Sequence, residues 1–194
     1  MDRLVGEIKV KEVQMDHAYL GRASIPVMYS HDLGESGVAP VDRSLLSQMA
    51  VNDIHRMLGD HTAIMITDIL RDEDNNRVSG AWDASKNVIK LASSVATQDT
   101  INHEAFHAAE SKLLSNQEIQ MLDKHLQVGT PMYQDLIRLL DSKGLRSVIN
   151  ERLSIPEERR AYAFQYFASG ELRHKEPEVV GVFAKIKELL ANIY

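Results

Sequence analysis

One short motif constrains the fold of this chain more than any other feature of its sequence. Residues 103–107 read H-E-x-x-H, and they lie in a stretch, residues 97–114, whose pattern predicts a helix. A helix places residues four apart on the same face. His103 and His107 can therefore direct two imidazoles at one Zn²⁺ ion, while Glu104 beside them can accept a proton from a water molecule that the metal activates.

Composition narrows the ways in which such a metal can be held. The 194 residues are 44% apolar, which suits one domain, or one domain with an appendage. No cysteine is present, so disulfides and thiolate ligands are excluded and any metal must be held by histidine and carboxylate.

The net charge of −6 argues against nucleic acid as a partner. Because the sequence shows no secretion signal and no membrane-spanning apolar run, we expect a cytoplasmic protein with no membrane partner.

The order of the predicted elements is strands first and helices afterwards. Apolar alternation or compact apolar runs predict strands at residues 4–13, 25–29, 63–69, 78–82 and 87–92, the last two joined as a hairpin by residues 83–86. Helical periodicity predicts helices at residues 44–58, 97–114, 116–128, 131–140, 145–153, 156–170 and 178–194. This order predicts an α+β fold with a small, mainly antiparallel sheet and a helical C-terminal third. We expect an N-terminal strand and loop-rich arm at residues 1–43 and a compact domain at residues 44–194.

Capping residues predict where three of these helices begin. Thr97 and Ser115 each precede a helical stretch and are suited to accept a hydrogen bond from its first turn. Ser154 and Glu157 form an S-x-x-E pattern with Pro156 between them, which predicts a capping box with proline in the first helical turn.

A catalytic zinc needs a third protein ligand, and the sequence offers Glu158 for it. Such sites use three protein ligands and keep one position open for water. The extended motif with a third histidine six residues after His107 is absent, because that position is Leu113. A carboxylate from another element is then the natural choice. Glu158 lies at the start of a predicted helix, and the small Ala161 one turn later allows that helix to approach the motif helix closely. Glu157 is the alternative ligand, although the predicted capping box would use its side chain to bond the helix N-terminus.

The combination of these motifs resembles a known family. H-E-x-x-H followed by E-x-x-A on a later helix looks like the gluzincin metallopeptidases, the thermolysin-like branch of the zincins. The stretch V-S-G-A-W-D-A-S-K-N-V-I-K-L-A, followed by H-E-A-F-H-A, also resembles minimal gluzincin-like domains in polyvalent proteins of phages and conjugative elements and in ImmA/IrrE-type regulatory peptidases. This resemblance covers about residues 60–168. It implies a zincin-like active-site helix with ligands His103, His107 and Glu158 and the general base Glu104.

The same resemblance implies zinc-dependent hydrolysis of a peptide bond in an extended peptide or protein substrate. Tyr162, where many relatives carry Asp or Asn, lies one turn after Glu158 and is our first candidate for a donor to the developing oxyanion. Weaker candidates for that donor are Tyr166, His125 and His174. The strand at residues 87–92 is predicted to pair with the substrate backbone, and Trp82 is predicted to lie in the core.

Two other functions fit the same sequence. One is a zincin-fold interaction module without catalytic activity, with or without metal, whose helical region at residues 116–194 contacts a partner. The other is a structural zinc site closed by a fourth protein ligand such as His125 or His174, which would leave no position for water. Glu104 favours the enzyme, because a structural site has no need of a base. Substrate and oligomeric state are not determined by the sequence.

Overall fold

The chain forms an α+β fold, as the sequence predicts. A computed structural model describes residues 28–30, 62–173 and 176–191. The strands are β1 (Met28–Ser30), β2 (Ala63–Thr67), β3 (Leu70–Arg71), β4 (Arg77–Val78), β5 (Gly80–Asp83) and β6 (Val88–Ala92). The helices are α1 (Gln98–Leu113), α2 (Asn116–His125), α3 (Pro131–Ser142), α4 (Pro156–Ala168) and α5 (Pro177–Ala191). The predicted strand at residues 4–13 and the predicted helix at residues 44–58 lie outside the described residues.

The main sheet is mixed and has the strand order β1-β5-β6-β2. β5 pairs antiparallel with both β1 and β6, and the predicted hairpin between β5 and β6 is confirmed. β2 pairs with β6 in parallel, and β3 and β4 form a separate two-stranded ribbon. β6 therefore lies between two strands, and both of its edges are already paired. The prediction that residues 87–92 bind the substrate backbone is wrong, because a central strand has no edge to offer.

Helix α1 lies between the sheet and the other helices. It contacts β1, β5 and β6 on one side and α4 on the other. Ala105, Ala108 and Ala109 are fully buried, and their small side chains allow these neighbours to approach closely. Three phenylalanine rings, Phe106, Phe164 and Phe183, join α1 to α4 and α5 with centroid separations of 5.1–5.9 Å.

The core extends from these helices to the sheet. Trp82 on β5 is 3% exposed and belongs to the core cluster, as predicted. Leu122 from α2 and Leu136 and Leu140 from α3 are fully buried in the same cluster. One continuous core therefore fixes the C-terminal helices against the helix that carries the motif.

Two of the three predicted helix caps are confirmed. Thr97 caps α1, and Ser115 caps α2 in a capping box with Glu118. The Ser154 cap is wrong. The N-cap of α4 is Ile155, with no side-chain cap, and the Ser154 hydroxyl donates instead to the Glu151 carbonyl oxygen at 3.2 Å.

The reason for this difference lies in the segment before α4. The helix predicted at residues 145–153 contains a π-helical turn at Val148–Arg152. Ser154 lies two residues after the end of that turn, and its hydroxyl bonds a carbonyl of the turn, that of Glu151. Pro156 is then the first residue of α4, a position where the N–H that proline lacks would have no partner within the helix.

Candidate metal centre

The N-terminus of α1 sets the direction of the two motif histidines. Thr97 Oγ1 accepts a hydrogen bond from the Thr100 N–H at 3.3 Å, and Thr100 Oγ1 accepts one from the Thr97 N–H at 3.1 Å. With its start fixed in this way, the helix presents His103 and His107 on one face. Their Nε2 atoms lie 3.1 Å apart.

Helix α4 brings the predicted third ligand to the same point. Glu158 Oε2 lies 3.4 Å from His103 Nε2, and Glu158 Oε1 lies 3.5 Å from His107 Nε2. All three residues are buried, with exposed fractions of 0% for His103, 4% for His107 and 1% for Glu158. Among the described residues, this is the only group of three or more His, Asp or Glu side chains arranged to hold a metal ion.

The separations between these atoms fit the coordination shell of zinc. Nitrogen and oxygen ligands bind a tetrahedral Zn²⁺ at about 2.0–2.2 Å, which places them about 3.3 Å from one another. The two imidazole nitrogens lie 3.1 Å apart, and they lie 3.4 and 3.5 Å from different oxygens of the Glu158 carboxylate. One ligand atom from each of the three residues lies within 4.8 Å of the other two, so the side chains are close enough to share one ion after a shift of the carboxylate.

Gln165 determines which nitrogen of His103 is available to a metal. Its Oε1 atom lies 3.1 Å from His103 Nδ1, and the Gln165 side chain is itself buried. An amide oxygen only accepts hydrogen bonds, so Nδ1 carries a proton and Nε2 is the nitrogen that faces His107 and Glu158. In the neutral imidazole this Nε2 presents a lone pair. A cation or a proton must then lie between these buried groups.

The pKa shifts favour the forms of these side chains that bind a metal. Burial lowers the pKa of His107 and outweighs the opposing attraction of Glu158, which favours the neutral imidazole. Burial alone would raise the pKa of Glu158, but hydrogen bonds and charge interactions with the two histidines outweigh it and hold that pKa well below its usual value. A neutral imidazole and an ionised carboxylate are the forms that coordinate zinc.

The general-base candidate, Glu104, is packed between α1 and β5. It is fully buried, and its side chain lies against Gly80. A Cβ atom at position 80 would lie 2.8 Å from Glu104 Cγ and 2.8 Å from Glu104 Oε1, which is closer than such atoms approach. Gly80 was not singled out from the sequence, although a glycine inside a strand signals close approach of another part of the structure.

The predicted oxyanion donors lie in different places. Tyr162 is fully buried, with its ring centroid 4.5 Å from that of His103 in an edge-on contact. Tyr166 has its ring beneath Lys143 Nζ at 5.3 Å. His125 lies 3.7 Å from Glu178 and is not part of the metal-ligand group. His174 lies outside the described residues. Of these candidates, the structure places Tyr162 in contact with a ligand of the candidate centre.

Arg160, like Gln165 and Gly80, is a residue that the sequence analysis did not identify. Its guanidinium donates to the Glu110 carboxylate of α1 and the Asp123 carboxylate of α2, and its side chain is 3% exposed. These contacts hold α4 in place, and α4 carries Glu158. No local pattern could reveal them, because the two partners lie 50 and 37 positions away in the chain.

We expect Gln165→Ala to lower zinc affinity by about 10–100-fold, the usual effect of removing the partner that orients a histidine ligand. Without the amide oxygen, the imidazole of His103 loses its fixed tautomer and ring orientation. Competition with a chromophoric chelator measures the affinity. Gln120→Ala, which removes an exposed glutamine from α2, is the matched control and should bind zinc like the unaltered protein. Equal affinities for both variants would contradict this role for Gln165.

Comparisons with protein-family models, curated proteins and solved structures found no match for this chain. The family resemblance of the motif therefore stays a prediction, and the functional argument depends on the geometry of the site. None of the helices in the described part of the chain combines the length and the apolar composition needed to cross a membrane.

Proposed function

We propose that this protein is a zinc-dependent peptidase that acts in the cytoplasm. The observation that supports it is the convergence of His103, His107 and Glu158 on one buried point, with Glu104 next to His103 in the chain. Three protein ligands are typical of catalytic zinc, whereas structural zinc usually has four. Among the described residues, no fourth histidine or carboxylate joins this group.

Each of these residues has a definite part in the proposed reaction. A zinc ion bound there would supply Lewis-acid activation of a water molecule and of the peptide carbonyl. Glu104 would accept the proton that the water molecule loses as its oxygen attacks the carbonyl carbon, and would pass it to the amine as the C–N bond breaks. Gly80 permits the close packing that holds the Glu104 side chain. Tyr162 is proposed to donate a hydrogen bond to the carbonyl oxygen as negative charge develops there.

A second candidate function is an inactive zincin-fold interaction module. Burial of the site favours it, because His103, Glu104, His107 and Glu158 are each no more than 4% exposed. A module that uses its metal only for stability needs no access to the metal. The two functions differ in whether Glu104 has a chemical role.

Glu104→Gln is the variant that tests the proposed function. The amide keeps the size of the side chain but cannot accept the proton, so we expect zinc content near one ion per chain and cleavage lowered by about 10²–10⁴-fold. Metal analysis and mass spectrometry of a digested peptide library give the two readouts. Glu151→Gln, an exposed change elsewhere, should leave both unaltered. A protein that binds one zinc ion but cleaves no peptide in the library would favour the interaction module.

A further inference from the structure

The amide of Gln165 is bound on one side only. Its Oε1 atom lies 3.1 Å from His103 Nδ1, and the residue is 1% exposed. Its Nε2 atom is buried and has no hydrogen-bond partner among the residues that the structure describes. Buried N–H groups are nearly always paired, because an unpaired one is costly. Within the described part of the chain, His103 is therefore the only group that determines which end of this amide faces the imidazole.

An amide differs from the groups that usually hold a metal-binding histidine. Carboxylates and backbone carbonyls are the common protein partners of the second ring nitrogen, and an ionised carboxylate or a carbonyl only accepts hydrogen bonds. An amide has an acceptor oxygen on one side and a donor NH₂ group of nearly the same size on the other. Rotation of the terminal amide of Gln165 by about 180° exchanges the two without a change in packed volume. Nε2 loses no hydrogen bond to the described residues in this rotation.

The imidazole of His103, by contrast, is held in one orientation. It is fully buried, and its ring lies edge-on against the rings of Tyr162 and His107, with centroid separations of 4.5 and 4.8 Å. Its Nε2 atom faces Glu158 Oε2 at 3.4 Å. Exchange of the two ring nitrogens would require the ring to turn over in a close-packed interior. The Gln165 amide is thus the part of this contact that can adapt.

The zinc-bound and metal-free forms of the centre need different tautomers of His103. In the zinc-bound form Nε2 is a ligand, so Nδ1 carries the proton and donates it to Gln165 Oε1, which is the orientation that the structure shows. In the metal-free form, a proton on Nε2 can be donated to Glu158 or to His107 Nε2, which lies 3.1 Å away. Nδ1 of the neutral imidazole then has a lone pair, and the amide NH₂ group is the end of Gln165 that can bond it.

We propose that Gln165 is a reversible partner of His103, and that rotation of its amide pairs Nδ1 in both the zinc-bound and the metal-free protein. This inference rests on zinc binding in the proposed function and does not depend on peptide cleavage. As the centre gains zinc, one proton leaves Nε2 for solvent and one is taken up at Nδ1, so the imidazole stays neutral. Because neither form leaves Nδ1 unpaired, the centre is suited to gain and lose its metal reversibly.

Nitrogen NMR of the imidazole rings tests the proposal in the full, unaltered chain. The chemical shift of each ring nitrogen distinguishes a protonated, a bare and a metal-bound atom. At about pH 8, above the ordinary imidazole pKa of about 6.5, we expect the His103 proton on Nε2 in the metal-free protein and on Nδ1 after saturation with zinc. Signals that His103→Ala removes belong to this residue. His125→Ala, which alters a histidine outside the ligand group, should leave them in place.

Gln165→Glu tests whether the amide N–H is required. An ionised carboxylate accepts hydrogen bonds at both oxygens and cannot donate one, so it supports only the form of His103 that is protonated on Nδ1. We expect this variant to show no bare Nδ1 in the metal-free state and to release zinc to a chelator about 10–100-fold more slowly than the unaltered protein. Gln120→Glu, which adds the same charge at an exposed position of α2, is the matched control and should release zinc at the unaltered rate.

The outcomes separate this inference from the proposed function. A His103 proton on Nδ1 both with and without zinc, or on both nitrogens in the metal-free protein, would overturn the role of Gln165. Equal rates of zinc release from Gln165→Glu and Gln120→Glu would do the same. If the proton changes position as expected but no peptide is cleaved, the peptidase proposal fails while the role of Gln165 is upheld.

Discussion

Zinc is expected to raise the midpoint of thermal unfolding by roughly 8–16 °C when the free ion is about a thousandfold above its dissociation constant. At that excess, a ligand that binds only the folded chain adds about 4 kcal/mol to the free energy of unfolding. A chain of this length gains about 2–4 °C for each kcal/mol. The effect arises because the ligands come from α1 and α4, which converge only in the folded protein. Scanning calorimetry with and without zinc measures the shift.

Variants of single histidines show whether this shift comes from the candidate centre. His103→Ala removes a ligand and should abolish most of the shift. His125→Ala removes an imidazole that lies beside Glu178, outside the ligand group, and should leave the shift intact. Magnesium should have little effect, because it prefers oxygen ligands and two of these three are nitrogens. A shift below about 2 °C in the unaltered protein, or one lost equally in both variants, would rule out this centre.

Arg160→Ala is expected to lower the free energy of unfolding by about 3–5 kcal/mol, the usual cost of removing one partner of a buried ion pair. The side chain of Arg160 is 3% exposed, and that of its partner Glu110 is 10% exposed. Without the guanidinium, the Glu110 carboxylate would remain in the interior with no compensating charge. Because the same residue anchors α4, zinc affinity should fall as well. Chemical denaturation measures the loss of stability.

The pH dependence of this variant has a defined sign. Burial raises the pKa of Glu110, and Arg160 opposes that rise. Removing Arg160 raises this pKa further, so the deficit should be smallest below the pKa of Glu110 in the folded unaltered protein. It should grow as the pH rises from that pKa to the higher pKa of Glu110 in the folded variant, and then level off. Adding Glu110→Gln should recover part of the lost stability, since it removes the uncompensated charge.

An exposed ion pair provides the control for Arg160. Arg138 pairs with Asp135 on the surface of α3, with side-chain exposures of 74% and 44%. Arg138→Ala should change the free energy of unfolding by no more than about 1 kcal/mol, because water screens such pairs. Equal losses in the Arg138 and Arg160 variants would contradict the importance given to the buried pair.

Local sequence patterns predicted those features that depend on neighbouring residues. The period of apolar residues gave the helices from α1 to α5, and Thr97 and Ser115 gave the starts of α1 and α2. The failure at Ser154 has a local cause as well. A serine hydroxyl at this position can either cap the following helix or bond a carbonyl of the preceding turn. In this structure it bonds the Glu151 carbonyl of the preceding π-helical turn.

The sequence by itself placed His103 and His107 on one helical face, because residues four apart in a helix always lie there. Tertiary structure decided what they meet. The packing of α4 on α1 placed Glu158 beside both imidazoles and Gln165 against His103 Nδ1. The order of the strands left β6 paired on both sides and placed β1 beside β5. Local spacing fixes only one turn or one strand, whereas contacts between distant segments depend on how whole elements fill a common core.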